Sequence, residues 1–191
     1  MIFLTVGTQL PFDRLVRCVD EWAGAHPSVP IFGQIGPASY QPRHFAAVDF
    51  LPPSEVDDYF QTSDLIVAHA GMGTILSSLV LRKPLVILPR RQALGEHRSD
   101  HQMTTALWLR RELQLNTAFE CDELAAMLDH RAELKAGQYV GETAQACLVD
   151  AVRDFVGRAQ VKPSVVASVR GWSSALRKSL HDFHASRGAG A

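Results

Sequence analysis

No apolar run in this 191-residue chain approaches the roughly 20 residues that a bilayer-spanning helix needs. Charge of one sign is also lacking: the formal net charge is −1, so no electrostatic case arises for nucleic acid as a partner. Cysteine is scarce. Cys18, Cys121 and Cys147 are odd in number, widely spaced and in no ligand-like pattern, and they read as reduced thiols of a cytosolic protein. The opening "MIFLTVGTQ" has no basic segment ahead of its short apolar run, so it reads as a first strand and not as a signal peptide. No low-complexity tract or internal repeat precedes the tail. What remains is ordinary for a globular domain, with 47% apolar and 20% charged residues and enough chain to bury a core.

Short apolar runs alternate with amphipathic stretches. "IFLTV" (2–6), "PIFGQ" (30–34), "FAAVDFL" (45–51), "LIVA" (65–68) and "LVIL" (85–88) read as strands, with a short one near "LNTAF". Phe12, Leu15, Val16, Val19 and Trp22 share one face of a helix that starts after Pro11. Ser54 and Asp57 suit the start of a short helix through Phe60. Further helices are expected over 74–82, 97–111, 121–132 and 141–157. Strands alternating with helices imply an α/β fold: a Rossmann-like parallel sheet with helices on both faces. Ligands of such sheets sit at the carboxyl ends of the strands, which groups the loops Gly7–Gln9, His69–Thr74 and Pro89–Gln102 on one edge. After Pro163, Val165, Val169, Trp172, Leu176, Leu180 and Phe183 recur at helical spacing. The organisation expected is therefore a ligand-binding domain over 1–160, an appended amphipathic helix over 163–184, and a disordered end at 185–191.

Three stretches carry chemistry. In "AHAGMGTIL", Gly71-x-Gly73 begins a dinucleotide fingerprint, but Leu76 stands at the third glycine position and the motif follows a late strand. No Gly-Lys-Ser/Thr follows, which excludes a P-loop. What is left is a helix start with free N–H groups at Met72, Gly73 and Thr74, the Thr74 hydroxyl and the His69 imidazole. These suit a diphosphate; a tight strand-to-helix turn needing small residues is the structural alternative. In "PRRQALGEHRSDHQ", Arg90 and Arg91 follow a strand end where cations can face an anion. Asp100 and Gln102 together can accept from and donate to sugar hydroxyls. His97 and His101 lie four apart, yet no third ligand is evident and no metal site is expected. In "TVGTQLPFDRLV", Gly7 and Thr8 end the first strand facing the same crevice.

Taken together and in order, "TVGTQLPFDRLV", "SDLIVAHAGMGT", "KPLVILPR" and "GEHRSDHQ" resemble the C-terminal, nucleotide-sugar-binding half of a GT-B glycosyltransferase of family 28. Within it the chain is similar to the PssE-type small subunits of bacterial exopolysaccharide and capsule glycosyltransferases, and to the catalytic subunit of the two-part dolichol-pathway N-acetylglucosaminyltransferase. The likeness covers about residues 1–155. It implies a UDP-sugar donor, inversion at the transferred sugar and no metal or other cofactor. His69, Gly71, Gly73 and Thr74 match the family's phosphate-contacting positions, with His69 stabilising the leaving diphosphate. Asp100 and Gln102 match its sugar-contacting pair, with His101 between them. Gly7, Thr8, Met72, Arg90 and His97 complete the expected donor site. Many GT-B enzymes carry a ribose-binding glutamate where this chain has Ser77, and Glu96 is the candidate substitute.

A complete GT-B enzyme has two such domains, so the resemblance implies a partner: a membrane-anchored, PssD-like subunit that holds a polyprenyl-linked acceptor and supplies the base. The protein is then expected in the cytoplasm, peripheral at the inner face of the plasma membrane through that partner. The alternative is a non-catalytic nucleotide-sugar-binding or scaffold subunit; an epimerase is disfavoured, since that fold needs two domains in one chain.

Overall fold

The computed structural model describes residues 1–137. The expected helices at 141–157 and 163–184, the domain limit at 160 and the 185–191 end lie outside the described residues.

The described chain runs β1 (Ile2–Thr5), α1 (Asp13–Ala25), β2 (Ile31–Gln34), β3 (Ala46–Val48), α2 (Pro53–Thr62), β4 (Leu65–His69), α3 (Met72–Val80), β5 (Leu85–Leu88), α4 (His101–Glu112), β6 (Asn116–Thr117) and α5 (Cys121–Asp129). All pairings are parallel, in the order β3-β2-β1-β4-β5-β6. Period-two alternation sorts each central strand between two cores. Ile2, Leu4, Leu65, Val67, Val86 and Leu88 pack with Leu15, Val19 and Trp22 of α1 and Leu124 and Leu128 of α5. Phe3, Ile66, Ala68, Leu85 and Ile87 pack on the other face with Phe60 of α2, Ile75 and Leu79 of α3, and Ala106 and Leu109 of α4. The expected parallel sheet covered on both faces is thus observed.

Several boundaries move for local reasons. β3 keeps only the three residues Ala46–Val48, and Phe50 beyond it is exposed. α2 starts at Pro53, whose ring sets a helical φ at the first turn; no side chain caps it, so Ser54 and Asp57 do not act as the expected box. α4 starts at His101, four residues late. The segment before it forms a short 3-10 turn at Gln92–Leu94, closed by Gly95 in the left-handed region (φ 69°).

The reduced-thiol reading of Cys18 and Cys121 is corrected. Their sulfurs are bonded, with Cα atoms 5.4 Å apart, across a sequence separation of 103 residues. Sequence spacing hides this pair because α1 and α5 meet only once both have packed on the same sheet face.

The strand order reverses between β1 and β4. After β1 the chain crosses to one face through α1, and after β4 to the other through α3. The two outgoing loops separate there and leave a crevice at their carboxyl ends, the usual ligand position in open α/β sheets.

Candidate functional site

The crevice holds a cavity of about 360 Å³, within the range of small-molecule sites. Its walls come from the three loops grouped by sequence. The β1–α1 loop contributes Gly7 and Thr8; the β4–α3 turn contributes His69, Gly71, Gly73 and Thr74; the β5–α4 segment contributes Arg90, His97 and Gln102. Three further lining residues, Val6, Gln9 and Leu10, were not singled out in the sequence; their one signal was membership of the loop that follows β1. Met72, Glu96, Asp100 and His101 are not brought into the lining.

His69 ends β4, and its carbonyl accepts from the Gly71 N–H at 2.8 Å, which turns the chain sharply into α3. Two glycines, one from each of two loops, make room for this imidazole. A methyl group at Gly7 would sit 2.7 Å from His69 Cε1, and one at Gly71 would overlap its Nε2. Gly7 is also in the left-handed region (φ 78°). Gly73 differs: nothing lies within 4 Å of where its Cβ would be. Burial, chiefly, pulls the His69 pKa down to about 4, with Arg90 and His97 acting in the same direction and the Thr5 carbonyl against it. The ring is therefore neutral at pH 7, and its Nδ1 is buried without a hydrogen-bond partner among the described residues.

Gly71 is the N-cap of α3, and no side chain caps the helix. The first intrahelical donor is Ile75, which reaches the Gly71 carbonyl at 3.1 Å. The N–H groups of Met72, Gly73 and Thr74 are left without helical acceptors, and the dipole adds positive potential at that end. Met72 contributes only its backbone here, for its side chain is exposed.

Arg90 is only 3% exposed and stays charged at neutral pH, although burial lowers its pKa to about 10 against the pull of Glu96. Its Nη atoms donate to the carbonyls of Val6 (2.8 Å), Leu10 (2.7 Å), Pro11 (2.5 Å) and Glu96 (3.3 Å), and its guanidinium lies 4.6 Å over the Phe12 ring. Arg91 faces away, donating to the Phe119 carbonyl and the Glu120 carboxylate, each at 2.6 Å. The pair expected to face an anion together is thus split. Glu96, the candidate ribose ligand, lies outside the lining. Its two oxygens accept from Arg14 Nε and Nη2 at 2.7 and 2.9 Å, and Oε2 also accepts from the Arg91 N–H at 2.9 Å. Gln102 lines the cavity, and its Oε1 accepts from the Arg90 N–H at 3.1 Å. Asp100 is exposed and accepts from the Gln92 N–H at 2.8 Å, so the two members of the expected sugar-contacting pair do not meet in the cavity. His97 bends back to the Ser99 carbonyl (3.0 Å), whereas His101 is exposed on α4. Ser77 is exposed on α3 and also outside the lining. Among the described residues no group of three or more His, Cys, Asp or Glu side chains could hold a metal ion.

The lining thus combines an uncapped helix start, a buried cation and a neutral imidazole, and none of the described residues in it is acidic. That chemistry suits an anionic ligand bearing several acceptor oxygens. A 3-2-1-4-5-6 parallel sheet with such a site at its switch point defines a Rossmann-type α/β binding domain. More narrowly, residues 1–139 match the glycosyltransferase family 28 C-terminal domain, and the chain belongs to that family. It is similar to the UDP-N-acetylglucosamine transferase subunit ALG13 of Homo sapiens, 29% identical over 107 residues, half of this chain and 9% of that one. A Debaryomyces hansenii subunit of the same name is 29% identical over 58 residues, covering 30% of this chain and 27% of that one. The chain thus spans about a tenth to a quarter of the length of these relatives. Among solved structures, the glycotransferase of kitacinnamycin shares the fold with a TM-score of 0.52 at 20% identity, over 69% of this chain and 34% of that one. UDP-glucose: anthocyanidin 3-O-glucosyltransferase, solved in complex with UDP, does so with a TM-score of 0.50 at 16% identity, over 67% and 30%. The match to the C-terminal half of GT-B enzymes expected from the motifs is therefore observed in both family and fold.

Proposed function

We propose that this chain is the donor-binding subunit of a two-component, inverting glycosyltransferase that takes a UDP-sugar. The observation that carries the reading is the cavity at the β1/β4 switch point, with the uncapped start of α3 and no acidic side chain among its described lining. The diphosphate would lie against the N–H groups of Met72, Gly73 and Thr74, with the Thr74 hydroxyl beside it. An acceptor hydroxyl oxygen attacks the anomeric carbon of the sugar from the face opposite the diphosphate. The bond from that carbon to the β-phosphate oxygen breaks, UDP departs with the electron pair, and the hydroxyl proton passes to a base on the partner. Charge grows on the leaving diphosphate, where the helix dipole stabilises it without a metal. His69, neutral at pH 7, serves as a hydrogen-bond donor to that oxygen and not as a cation.

The acceptor side belongs to a membrane-anchored, PssD-like subunit carrying a polyprenyl-linked saccharide, and the setting is exopolysaccharide or capsule synthesis at the cytoplasmic face of the plasma membrane. This part rests on the resemblance and on the presence of one nucleotide-binding domain in the matched region. A second reading is a non-catalytic nucleotide-sugar-binding subunit. It is favoured by the absence, among the described lining residues, of a carboxylate for the ribose hydroxyls, now that Glu96 is engaged by Arg14. Co-expression with such a partner, followed by a UDP-release assay across UDP-glucose, UDP-galactose, UDP-glucuronic acid and UDP-N-acetylglucosamine, separates the two. Turnover of one donor by the pair supports the enzyme. A folded pair that binds UDP yet turns over none of the four supports the scaffold.

A further inference from the structure

We propose that Arg90 is a positioning residue which turns the β1–α1 loop into a wall of hydrogen-bond donors, and that it does so by shape and not by contacting the diphosphate. The inference rests on the donor-site reading above. The loop between Val6 and Pro11 carries three carbonyls that all end on one guanidinium: Val6, Leu10 and Pro11 accept from Arg90 at 2.8, 2.7 and 2.5 Å. Among the described residues, the N–H groups of Thr8, Gln9 and Leu10 have no hydrogen-bond partner. A flexible loop beside an anion site would present carbonyl oxygens as readily as N–H groups, and each oxygen turned inward would repel a diphosphate. Gathering the oxygens onto a buried cation removes that option and leaves the donors uncommitted on residues that line the cavity.

The fork geometry of arginine is essential to this arrangement. Four Nη–H bonds are engaged at once, the fourth to the Glu96 carbonyl on the β5–α4 segment, while Phe12 covers the planar face. Lysine, with a single rotatable ammonium, matches the charge but cannot span carbonyls that lie on two segments. The Arg90 brace is itself braced: Arg14 and the Arg91 N–H grip the Glu96 carboxylate, which holds the turn that presents the Glu96 carbonyl.

The test compares Arg90→Lys with Arg90→Met in the full chain, by amide hydrogen exchange and by calorimetric titration with UDP. Exchange at the Val6 and Gly7 amides, bonded to the Gln34 carbonyl and to Thr5 Oγ1, is expected to quicken by about tenfold or more in both variants, while 13–25 stays as protected as in the parent. UDP affinity is expected to fall about tenfold or more in both, to similar extents. Parent-like affinity in Arg90→Lys beside loss in Arg90→Met would overturn the proposal, for charge alone would then be sufficient. Unchanged exchange at Val6 and Gly7 would overturn it too. If Arg90→Lys does not fold, Glu96→Gln tests the same brace with the guanidinium intact: faster exchange at Val6 and Gly7 and a smaller loss of UDP affinity support it, and unchanged exchange there overturns it. Should the parent chain fail to bind UDP, the donor-site reading falls, while the exchange result still reports on the brace.

Discussion

Lowering the pH should destabilise this protein through one side chain. His69 has a pKa of about 4 in the folded chain and an ordinary value of 6.5 when unfolded. Between those values the unfolded chain binds the extra proton, so stability rises with pH across that window and is lost as pH falls from about 6.5 towards 4. Integrating between pH 7 and pH 5 gives a loss of about 2 kcal/mol from this group alone. The perturbation is His69→Gln, which removes the titration and keeps a polar side chain between Gly7 and Gly71. Urea unfolding of both proteins at pH 7 and pH 5 is the assay, read as a difference of differences. The fixed cost of the substitution cancels, as do the contributions of carboxylates with lowered pKa such as Asp20. The parent should lose about 2 kcal/mol more than His69→Gln on going to pH 5. Equal losses would show that the imidazole titrates normally, and that the neutral donor role assigned to it is wrong.

Gly71 and Gly73 should separate folding from binding. Gly71→Ala places a methyl group against the His69 ring and should cost about 1–3 kcal/mol in urea unfolding. Gly73→Ala meets open space; it should leave stability unchanged or raised by up to about 1 kcal/mol, while calorimetry shows weakened UDP binding. Arg14 and Glu96, 17% and 11% exposed, form a nearly buried pair, so Arg14→Met should destabilise by about 3 kcal/mol and Arg14→Met with Glu96→Met by less. Non-reducing peptide mapping should recover a Cys18–Cys121 bridge, and dithiothreitol should lower the melting temperature of the parent but not of Cys18→Ser.

Strand placement was legible because each central strand is a four- or five-residue apolar run buried on both faces, a pattern that length and flanking residues identify. The cavity's edge was legible for the same reason: once the sheet is parallel, the loops at its carboxyl ends must converge. Nine of the residues singled out do line one cavity. What the sequence hid is partnership at long range. Arg90 looked like an anion ligand by its place after β5, but three of its four acceptors lie about 80 residues away, in the β1–α1 loop. Glu96 looked free until Arg14, 82 residues distant, was found on it. Gly7 and Gly71 looked like phosphate glycines, whereas the group that needs their missing side chains is His69. Gly73 differs, with open space where its side chain would be.

The central claim is that the crevice between the β1–α1 loop and the start of α3 binds the diphosphate of a UDP-sugar. Its most direct test is an NMR titration of the isotopically labelled chain with UDP, followed at backbone amides. Saturable shifts are expected, concentrated at Thr8–Leu10 and Met72–Thr74, weaker with UMP and absent with uridine. Shifts located elsewhere, or equal responses to UDP and uridine, would contradict it.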